Sequence, residues 1–484
     1  MSTPPSRIRI QKDVPPARRG ACVLYWMTSA RRTRYNFALQ RAVELSLELE
    51  KPLVILEAVR VDYPHASDRL HTFLIEGMRD NERACASSAA AYYPYLERQP
   101  GEGRGLLARL SRHAAVVITD WFPEFFLPRM LAAATSQSAV RLEAVDSNGL
   151  IPVAEHGRAF PTARGYRALV QRTLRDHLAA FPLEEPLALL EAAGASVPDD
   201  VAKRWPRTAL DRAVPEIVRS LPVDHSVPAV PTHGGSRPAG RVLRDFLANK
   251  LARYADQGND PDMDCTSRLS PYLHFGHISA HEIFAAVMTH ERWTFRKVGK
   301  VRAGSRDGWW NVSPGANQFL DQLTVWRELA FNGSTWTPDH HSYGALPAWA
   351  RATLESHLDD PRTRLYSLAE LDAAQTGDVV WNAAQNELRD TGWCHGYMRM
   401  VWGKKILEWC RDPADALDRM AALMNRYSLD GRDPVSYLNY AWVLGRYDRP
   451  WFERPIVGTV RYMTSESARR KLKMKTYLER FGRQ

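Results

Sequence analysis

The sequence predicts an α/β protein in which an N-terminal, doubly wound parallel-sheet (Rossmann-like) domain precedes an all-helical domain. In the N-terminal third, apolar runs of strand length alternate with segments of helical periodicity, which is the pattern of a parallel sheet with crossover helices. From residue 234 onward, the pattern is one of helices joined by Gly, Pro and Asp turns. A length of 484 residues also exceeds what one ordinary core organises, so two or three domains are expected.

The composition narrows the class of protein. Hydrophobic residues make up 45% of the chain and charged residues 25%, as in soluble globular proteins. No apolar run approaches the roughly 18 residues that span a bilayer, and the polar stretch 1–16 lacks the apolar core of a signal peptide. The five cysteines are scattered without metal-ligand spacing, so we expect no metal and a reduced, cytoplasmic location. A net charge of +10 favours a polyanionic partner rather than a membrane.

Changes in composition along the chain predict the domain boundaries. The first 20 residues are polar and Pro-rich, and eight prolines interrupt the stretch from 181 to 232. We therefore predict a flexible tail at 1–20, an α/β domain at 21–180, an interdomain connector at 181–232 and a helical domain at 233–484.

Periodicity places the elements within these domains. Strands are predicted at 21–27, 53–59, 114–119 and 140–145, and helices at 36–49, 71–90, 125–134, 240–254, 315–331, 366–374 and 469–475. Tyr92–Leu96 stands where a further strand is expected, although it contains Pro94. No GxGxxG follows a predicted strand, so a standard dinucleotide fingerprint is not indicated.

Two stretches of the helical domain carry candidate chemistry. Residues 266–276 combine hydroxyl side chains with a predicted helix start, which suits either an anion site or an ordinary helix cap. In the second stretch, 380–434, Trp402 and Trp409 are seven apart and share a helix face with Arg399 nearby. A core helix with snorkelling cations has the same pattern. The acidic turn Asp430–Pro434 nevertheless favours a planar, polar, redox-active ligand.

These stretches resemble the photolyase/cryptochrome family and, within it, the class II cyclobutane pyrimidine dimer photolyases. The similar motifs are a Trp-Asn-Ala-x-Gln run from Trp381, a His-Gly-Tyr-Met-Arg-Met-x-Trp-x-Lys-Lys-Ile-Leu-Glu-Trp helix from His395, a Leu-Asp-Gly-Arg-Asp-Pro turn from Leu429, and an Arg-Tyr-Met segment from Arg461. Weaker resemblance extends from about Ala21 to Phe481. It implies light-driven repair of pyrimidine dimers in DNA by a monomer that binds FAD non-covalently. It also implies a deazaflavin-type antenna in the N-terminal domain.

The resemblance assigns roles residue by residue. Trp326 and Trp442 match the positions that stack on the dimer, and Arg399 with Asp430 matches the pair that flanks the isoalloxazine ring. The implied catalytic residues are Gln322, Trp326, Met400, Trp442 and Arg461. The implied electron-transfer residues are Trp381, Trp402 and Trp409, with Trp393 as an additional candidate; each tryptophan is alternatively a core residue. The implied cofactor contacts are Tyr254, Thr266, Ser267, Leu269, Ser270, Phe319, Gln322, Arg399, Met424, Asn425, Asp430 and Gly431.

Two positions depart from the family's pattern. Gln322 stands where the family usually has a Glu, and an amide cannot supply a carboxyl proton. Met424 stands where the family's Asn faces the flavin N5, with Asn425 one residue further on. These departures keep two alternatives open: a cryptochrome-like flavin photoreceptor, or a repair-deficient homologue with another flavin-dependent activity.

Overall fold

A computed structural model describes residues 2–191, 196–301 and 303–483, and the chain forms two compact units. The first, which we call the α/β unit, comprises Met1–Gly157, Thr173–Leu243 and Leu269–Ala286. The second, the helical unit, comprises Arg158–Arg172, Arg244–Arg268 and Val287–Gln484. This confirms the predicted fold class.

The α/β unit is built on one six-stranded sheet with the order β1-β6-β5-β2-β3-β4. Its strands are β1 (Ile8–Lys12), β2 (Cys22–Met27), β3 (Leu53–Val59), β4 (Ala91–Leu96), β5 (Ala114–Asp120) and β6 (Arg141–Val145). Strands β2 to β6 pair in parallel, and their continuous apolar runs suit strands that helices cover on both faces. The Tyr92–Leu96 segment does form a strand, because Pro94 lies on the sheet edge.

The first 20 residues are not the flexible tail that composition predicts. β1 pairs antiparallel with β6, and Arg7 just before it is buried. The Arg7 guanidinium donates to the carbonyl oxygens of Asp146, Gly149 and Leu150 at 3.1, 3.1 and 2.7 Å. An edge strand and carbonyl groups over 130 residues away therefore hold this segment.

The α/β unit contains helices from distant parts of the chain. They are α1 (Phe37–Glu48), α2 (Asp68–Ala86), α3 (Leu106–Ser111), α4 (Leu127–Gln137), α5 (Ala163–Leu178, shared with the helical unit), α6 (Asp199–Arg204), α7 (Val214–Arg219), α8 (Ser236–Asp245, ending in the helical unit), α10 (Ser270–His274) and α11 (Ala280–His290, ending in the helical unit). Between α8 and α10 lies the short helix α9 (Tyr254–Gln257) of the helical unit.

Packing corrects the predicted domain boundaries. The predicted connector 181–232 belongs to the α/β unit, because Ile217 and Leu221 share an apolar cluster with Ile75 of α2. Residues 269–286 belong there too, since the Tyr272 ring lies 5.4 Å from that of Phe73. Composition along the chain cannot reveal such long-range packing.

The remaining helices build the helical unit. They are α12 (Pro314–Asp321), α13 (Arg327–Trp336), α14 (Ala348–Glu355), α15 (Leu368–Asp372), α16 (Val379–Thr391), α17 (Gly396–Trp409), α18 (Pro413–Tyr427), α19 (Pro434–Val443), α20 (Ser465–Lys471) and α21 (Lys475–Phe481). The predicted basic helix at 469–475 is divided between α20 and α21. Among the described residues, no helix combines the length and apolarity needed to cross a membrane.

Two helices predicted as continuous are interrupted by π turns. In the predicted helix 240–254, a π turn (Phe246–Lys250) and a single 3₁₀ turn (Leu251–Arg253) separate α8 from α9. In the predicted helix 315–331, a π turn (Gln322–Trp326) separates α12 from α13. One extra residue per turn rotates the faces of the flanking helices relative to each other, and such turns often lie at functional sites.

Candidate cofactor and electron-transfer site

A buried ion pair joins α17 to the turn before α19. The Arg399 Nη2 atom lies 3.0 and 3.2 Å from the two carboxylate oxygens of Asp430, and both side chains are 8% exposed. Burial alone lowers the pKa of Arg399, but the Asp430 carboxylate raises it above its ordinary value. The Ser428 hydroxyl donates to the same carboxylate, and the Ser436 hydroxyl donates to the Asp430 carbonyl at 2.7 Å. The cation is therefore permanent and its orientation is set.

Two atoms of the predicted cofactor contacts are buried and have no hydrogen-bond partner among the described residues. They are the Nε atom of Arg399 and the hydroxyl of Thr266. An unpartnered buried polar group costs about 1–3 kcal/mol, so it is uncommon unless a ligand or water completes it. A guanidinium and a hydroxyl are suitable donors to the carbonyl and phosphate oxygens of FAD. The residues present therefore fit that cofactor.

The turn from Met424 to Asp433 is held by its own side chains. The Asn425 amide oxygen accepts from the Arg432 backbone N–H at 2.8 Å, and its amide nitrogen donates to the Tyr437 hydroxyl at 3.0 Å. Gly431 packs directly against the backbone of Met424, because a Cβ added at Gly431 would lie 2.6 Å from the Met424 carbonyl oxygen. Met424 itself is completely buried. Asn425 therefore replaces the missing Asn at position 424 only if it gives up both of these hydrogen bonds.

The π turn carries both Gln322 and Trp326. Gln322 is exposed and Trp326 is half-buried, at the two ends of the turn. In the preceding helix, the Phe319 ring packs against Phe246 and Tyr254, with centroids 4.7 and 5.8 Å apart. The predicted contacts Tyr254 and Phe319 thus belong to one aromatic cluster.

A file of aromatic rings begins on α17. The Trp402 and Trp381 rings are nearly parallel, at 6°, with centroids 6.2 Å apart. The Trp381 indole N–H donates to the Trp402 carbonyl at 3.0 Å, and the Trp402 indole N–H donates to Gln385 at 2.9 Å. Trp409 follows at 5.5 Å from Trp381, and the half-buried Tyr366 lies 4.9 Å from Trp409. Four oxidisable rings therefore form a continuous path from the interior to the surface.

The structure separates Trp393 from this file and adds Tyr366 to it. The Arg268 guanidinium lies 3.5 Å above the Trp393 ring, and His395 packs edge-on against it at 5.9 Å. Trp393 is thus a platform for a cation. Sequence reasoning missed Tyr366, which precedes α15 and has no spacing that relates it to the tryptophans.

A second aromatic and basic group surrounds Trp442. The Arg461 guanidinium lies 5.6 Å from the Trp442 ring and 4.1 Å from Trp451, and Asp448 holds it at 2.7 Å. The buried Lys404 ammonium lies 5.1 Å from the same Trp442 ring. Burial is the main reason that the pKa of Lys404 is lowered to about 7; Asp448 opposes this shift and Arg461 adds to it. Sequence reasoning singled out Trp442 and Arg461 but missed Lys404.

The remaining predicted site residues are dispersed. Met400 is half-buried on α17, next to Arg399. Ser267 precedes Arg268 in the helical unit. Leu269 and Ser270 belong to the α/β unit, where Leu269 is buried and Ser270 begins α10.

In the α/β unit, the ligand position typical of doubly wound sheets is taken by a side chain. The strand order reverses between β2 and β5, where such sheets usually bind ligands beyond the carboxyl ends of the strands. There the Asp120 carboxylate accepts from the backbone N–H groups of Thr28, Ser29 and Ala30 at 2.7, 2.8 and 3.0 Å. These amides are not free to bind a phosphate, in agreement with the missing GxGxxG.

No family model matches the chain, but similar proteins cover nearly all of it. The chain is 34% identical over 474 residues to the deoxyribodipyrimidine photo-lyase of Methanothermobacter thermautotrophicus, covering 98% of this chain and 97% of that protein. It is 31% identical to the enzyme of the same name from Arabidopsis thaliana, covering 99% and 93%. A bacterial class III photolyase from Agrobacterium tumefaciens has a similar fold, with a TM-score of 0.68 over 96% of this chain and 86% of that one, at 17% identity.

An α/β unit followed by a helical unit with a buried Arg–Asp pair and a tryptophan file defines a protein of the photolyase/cryptochrome class. With identity above 30% over almost the full length, the chain belongs to the deoxyribodipyrimidine photo-lyase family. It is therefore a member of a DNA photolyase enzyme family.

Proposed function

We propose that this protein repairs cyclobutane pyrimidine dimers in DNA, in the manner of a class II photolyase. The observation that carries the proposal is the position of Arg399 and Trp402 on one helix, α17. Arg399 presents a buried cation with an unpartnered N–H, and Trp402 begins the file of rings. When bound, reduced FAD would supply the light-driven electron that opens the dimer.

Residues of the helical unit would hold the cofactor. Arg399, oriented by Asp430, places a permanent positive charge that favours an anionic, reduced ring. The Thr266 hydroxyl offers a donor for phosphate, Ser267 is the neighbouring predicted contact, and Tyr254 and Phe319 supply aromatic packing. Leu269 and Ser270 remain predicted cofactor contacts. A deazaflavin-type antenna in the α/β unit also remains a prediction. A cavity there of about 90 Å³, next to α3 and α4, is too small to hold one.

The ring file would return electrons to the site. Trp402 is buried and stacks on Trp381, so charge would pass between them with little solvent reorganisation. Trp409 and the half-buried Tyr366 extend the path toward a surface reductant. The hydrogen bond from Trp402 to Gln385 keeps the first ring in a single orientation.

The Trp442 group would receive the DNA. Base–aromatic stacking contributes about 1–3 kcal/mol per base, which offsets much of the cost of flipping a dimer out of the duplex. Trp442 and Trp326 are half-buried, so each keeps exposed surface for such stacking. Arg461 is 36% exposed and held by a single carboxylate, so it is available to phosphates.

The test is illumination of purified protein with an oligonucleotide that contains one thymine dimer. We expect dimers to disappear under blue light with a reductant, and to persist in the dark. Arg461→Gln should weaken binding of the dimer and reduce the dependence of affinity on salt by about one phosphate contact. Binding that is unchanged by salt, or dimers that persist in the light, would remove DNA repair from the proposal.

Gln322 and Met424 keep open a second candidate, a flavin photoreceptor or an altered flavoenzyme, which the similarity to photo-lyases does not favour. Gln322 is exposed and has no carboxyl proton, and Asn425 is engaged in the turn. This candidate predicts FAD binding and photoreduction without loss of dimers. The same illumination experiment therefore separates the two candidates.

A further inference from the structure

The segment 473–483, which contains α21, contacts the turn that leads into the predicted phosphate-binding residues. The Asp262 carboxylate accepts from the backbone N–H groups of Tyr477 and Thr476 at 2.7 and 3.2 Å, in the first turn of α21. The Asp262 N–H donates to the Lys473 carbonyl at 3.1 Å, and the Lys473 N–H donates to Asp260 at 3.1 Å. Four hydrogen bonds thus join this segment to residues 260–262, only four positions before Thr266.

The same segment also contacts α16, the helix of Trp381. The Tyr477 hydroxyl donates to the buried Glu387 carboxylate at 3.1 Å. That carboxylate also accepts from the His395 N–H at 2.9 Å, and His395 is the N-cap residue immediately before α17. At the other end of α21, the Asn386 amide donates to the carbonyl oxygens of Phe481 and Arg483 at 2.9 and 3.2 Å. Segment 473–483 therefore connects residues 260–262 to α16 and to the start of α17.

The turn it holds is also supported by side chains: Lys250 lies 3.2 Å from Asp264, and Arg268 stacks on Trp393 at 3.5 Å. Asp264 and Arg268 both have positive φ, 42° and 56°, a conformation that L-residues adopt at a cost. Their mutual ion pair, at 3.0 Å, is 57% and 37% exposed, and exposed pairs stabilise little. Thr266, between them, is the residue whose buried hydroxyl has no partner. Its orientation thus depends on how firmly the ends of the turn are held.

We infer that Asp262 and Tyr477 are positioning residues for the cofactor: segment 473–483 is a clasp that holds the 262–268 turn beside α16 and thereby sets how fast FAD leaves. The inference rests on the proposed binding of FAD. Neither side chain is a predicted cofactor contact, so their effect is transmitted through the backbone of the turn. Slower release makes the binding of FAD tighter when association is unchanged, and linkage is reciprocal, so a clasp that tightens FAD binding is itself stabilised when FAD binds.

The first test is the rate of FAD release from the full-length protein, followed by the rise in flavin fluorescence after dilution. Asp262→Ala removes the acceptor for two helix N–H groups, and Tyr477→Phe removes only the hydroxyl. The loss of one helix-capping group corresponds to about a fivefold to tenfold change in an equilibrium constant. We expect an increase of that size in the rate of FAD release for Asp262→Ala, and a smaller increase for Tyr477→Phe. Asp262→Asn keeps one oxygen acceptor and should restore most of the wild-type rate.

The matched control is Asp390→Asn. It breaks the exposed ion pair between Asp390 of α16 and Arg483, at the end of the clasp far from the 262–268 turn. We expect its release rate to equal that of the wild type. If Asp390→Asn and Asp262→Ala accelerate release equally, general loosening explains the effect and the positioning role is overturned.

The second test needs no activity of the loaded protein. Hydrogen exchange at the Thr476 and Tyr477 amides should slow by about tenfold when FAD is bound, and this protection should be absent in Asp262→Ala. Exchange that is identical with and without FAD would overturn the inference. A wild-type protein that binds no FAD at all would instead refute the proposed function, so the two failures are distinguishable.

Discussion

The two units use their buried carboxylates in different ways. In the α/β unit, the Asp120 carboxylate is surrounded by three backbone N–H groups, and Glu57 is bound by Arg31, Asn81 and Tyr92 at 2.6–2.9 Å. In the helical unit, the buried Asp430 carboxylate orients a cation, Arg399, whose Nε atom has no partner among the described residues. Backbone N–H groups around a carboxylate fix a loop, whereas a buried cation held by a carboxylate is also able to bind a ligand. The contrast separates a carboxylate that holds the fold from one that orients a candidate cofactor contact.

Among the changes in the helical unit, substituting Arg399 should have the largest effect on FAD binding and stability. Arg399→Met removes the cation and leaves the Asp430 carboxylate buried without its partner. We expect loss of bound FAD and a decrease of about 3–5 kcal/mol in the free energy of unfolding. Flavin absorbance after gel filtration and urea denaturation measure the two effects. A folded variant that keeps its flavin would show that the cation does not hold the cofactor.

The buried Glu387 of the helical unit should make the free energy of unfolding depend on pH. Burial raises its pKa to about 7 from 4.5, against the opposing influence of the His395 N–H, Arg268 and Tyr477. The folded state therefore holds the proton more tightly than the unfolded state. The stability that protonated Glu387 contributes to the folded state is present below pH 4.5 and is lost as the pH rises from 4.5 to 7.

The expected loss over this range is about 3 kcal/mol relative to Glu387→Gln, whose side chain stays neutral at every pH. Denaturation of both proteins at pH 5 and pH 8 measures it. Parallel pH profiles for the wild type and the variant would mean that Glu387 is ionised throughout.

Asp120 provides the matched experiment in the α/β unit. Asp120→Ala leaves the three N–H groups of Thr28, Ser29 and Ala30 without their acceptor. We expect a loss of about 2 kcal/mol in stability but no change in FAD content. Should flavin binding fall while stability holds, the assignment of Asp120 to structure alone would be wrong.

The next largest effect is expected on the rate at which electrons reach bound FAD. Trp402→Phe keeps nearly the same volume but is much harder to oxidise, so photoreduction of bound FAD should slow by about tenfold or more, equivalent to about 1.4 kcal/mol in the barrier. Trp381→Phe should leave the first step and shorten the lifetime of the separated charges. Trp393→Phe is the control, because its ring lies against Arg268 outside the file. Photoreduction of Trp402→Phe at the wild-type rate would refute the route.

The smallest expected effect concerns the departures from the family's pattern. Gln322→Glu restores a carboxyl group at an exposed position of the π turn. We expect a gain of a few-fold in dimers repaired per absorbed photon, with dimer affinity nearly unchanged. Counting dimers at a fixed photon dose measures it. No gain, together with wild-type protein that neither binds nor repairs dimers, would favour the photoreceptor candidate.

Local pattern determined much of this protein. The apolar runs predicted strands β2, β3, β5 and β6 to within one residue at either end, because a parallel strand buried on both faces leaves a continuous signal. The motifs around Arg399, Trp402 and Asp430 located the candidate site, because the ion pair and the ring file depend on residues with distinctive chemistry.

Only the tertiary structure decided the rest. Residues 269–286 and the N-terminal strand β1 join the α/β unit through contacts with residues far along the chain, and Tyr366 reaches Trp409 in the same way. The π turn at Gln322–Trp326 needs one extra residue per turn, which helical periodicity over so short a stretch does not reveal. Whether a buried polar atom has a partner also depends on which distant groups fold around it. The residue types were therefore predictable, but the unpartnered Thr266 and Arg399 atoms and the clasp were not.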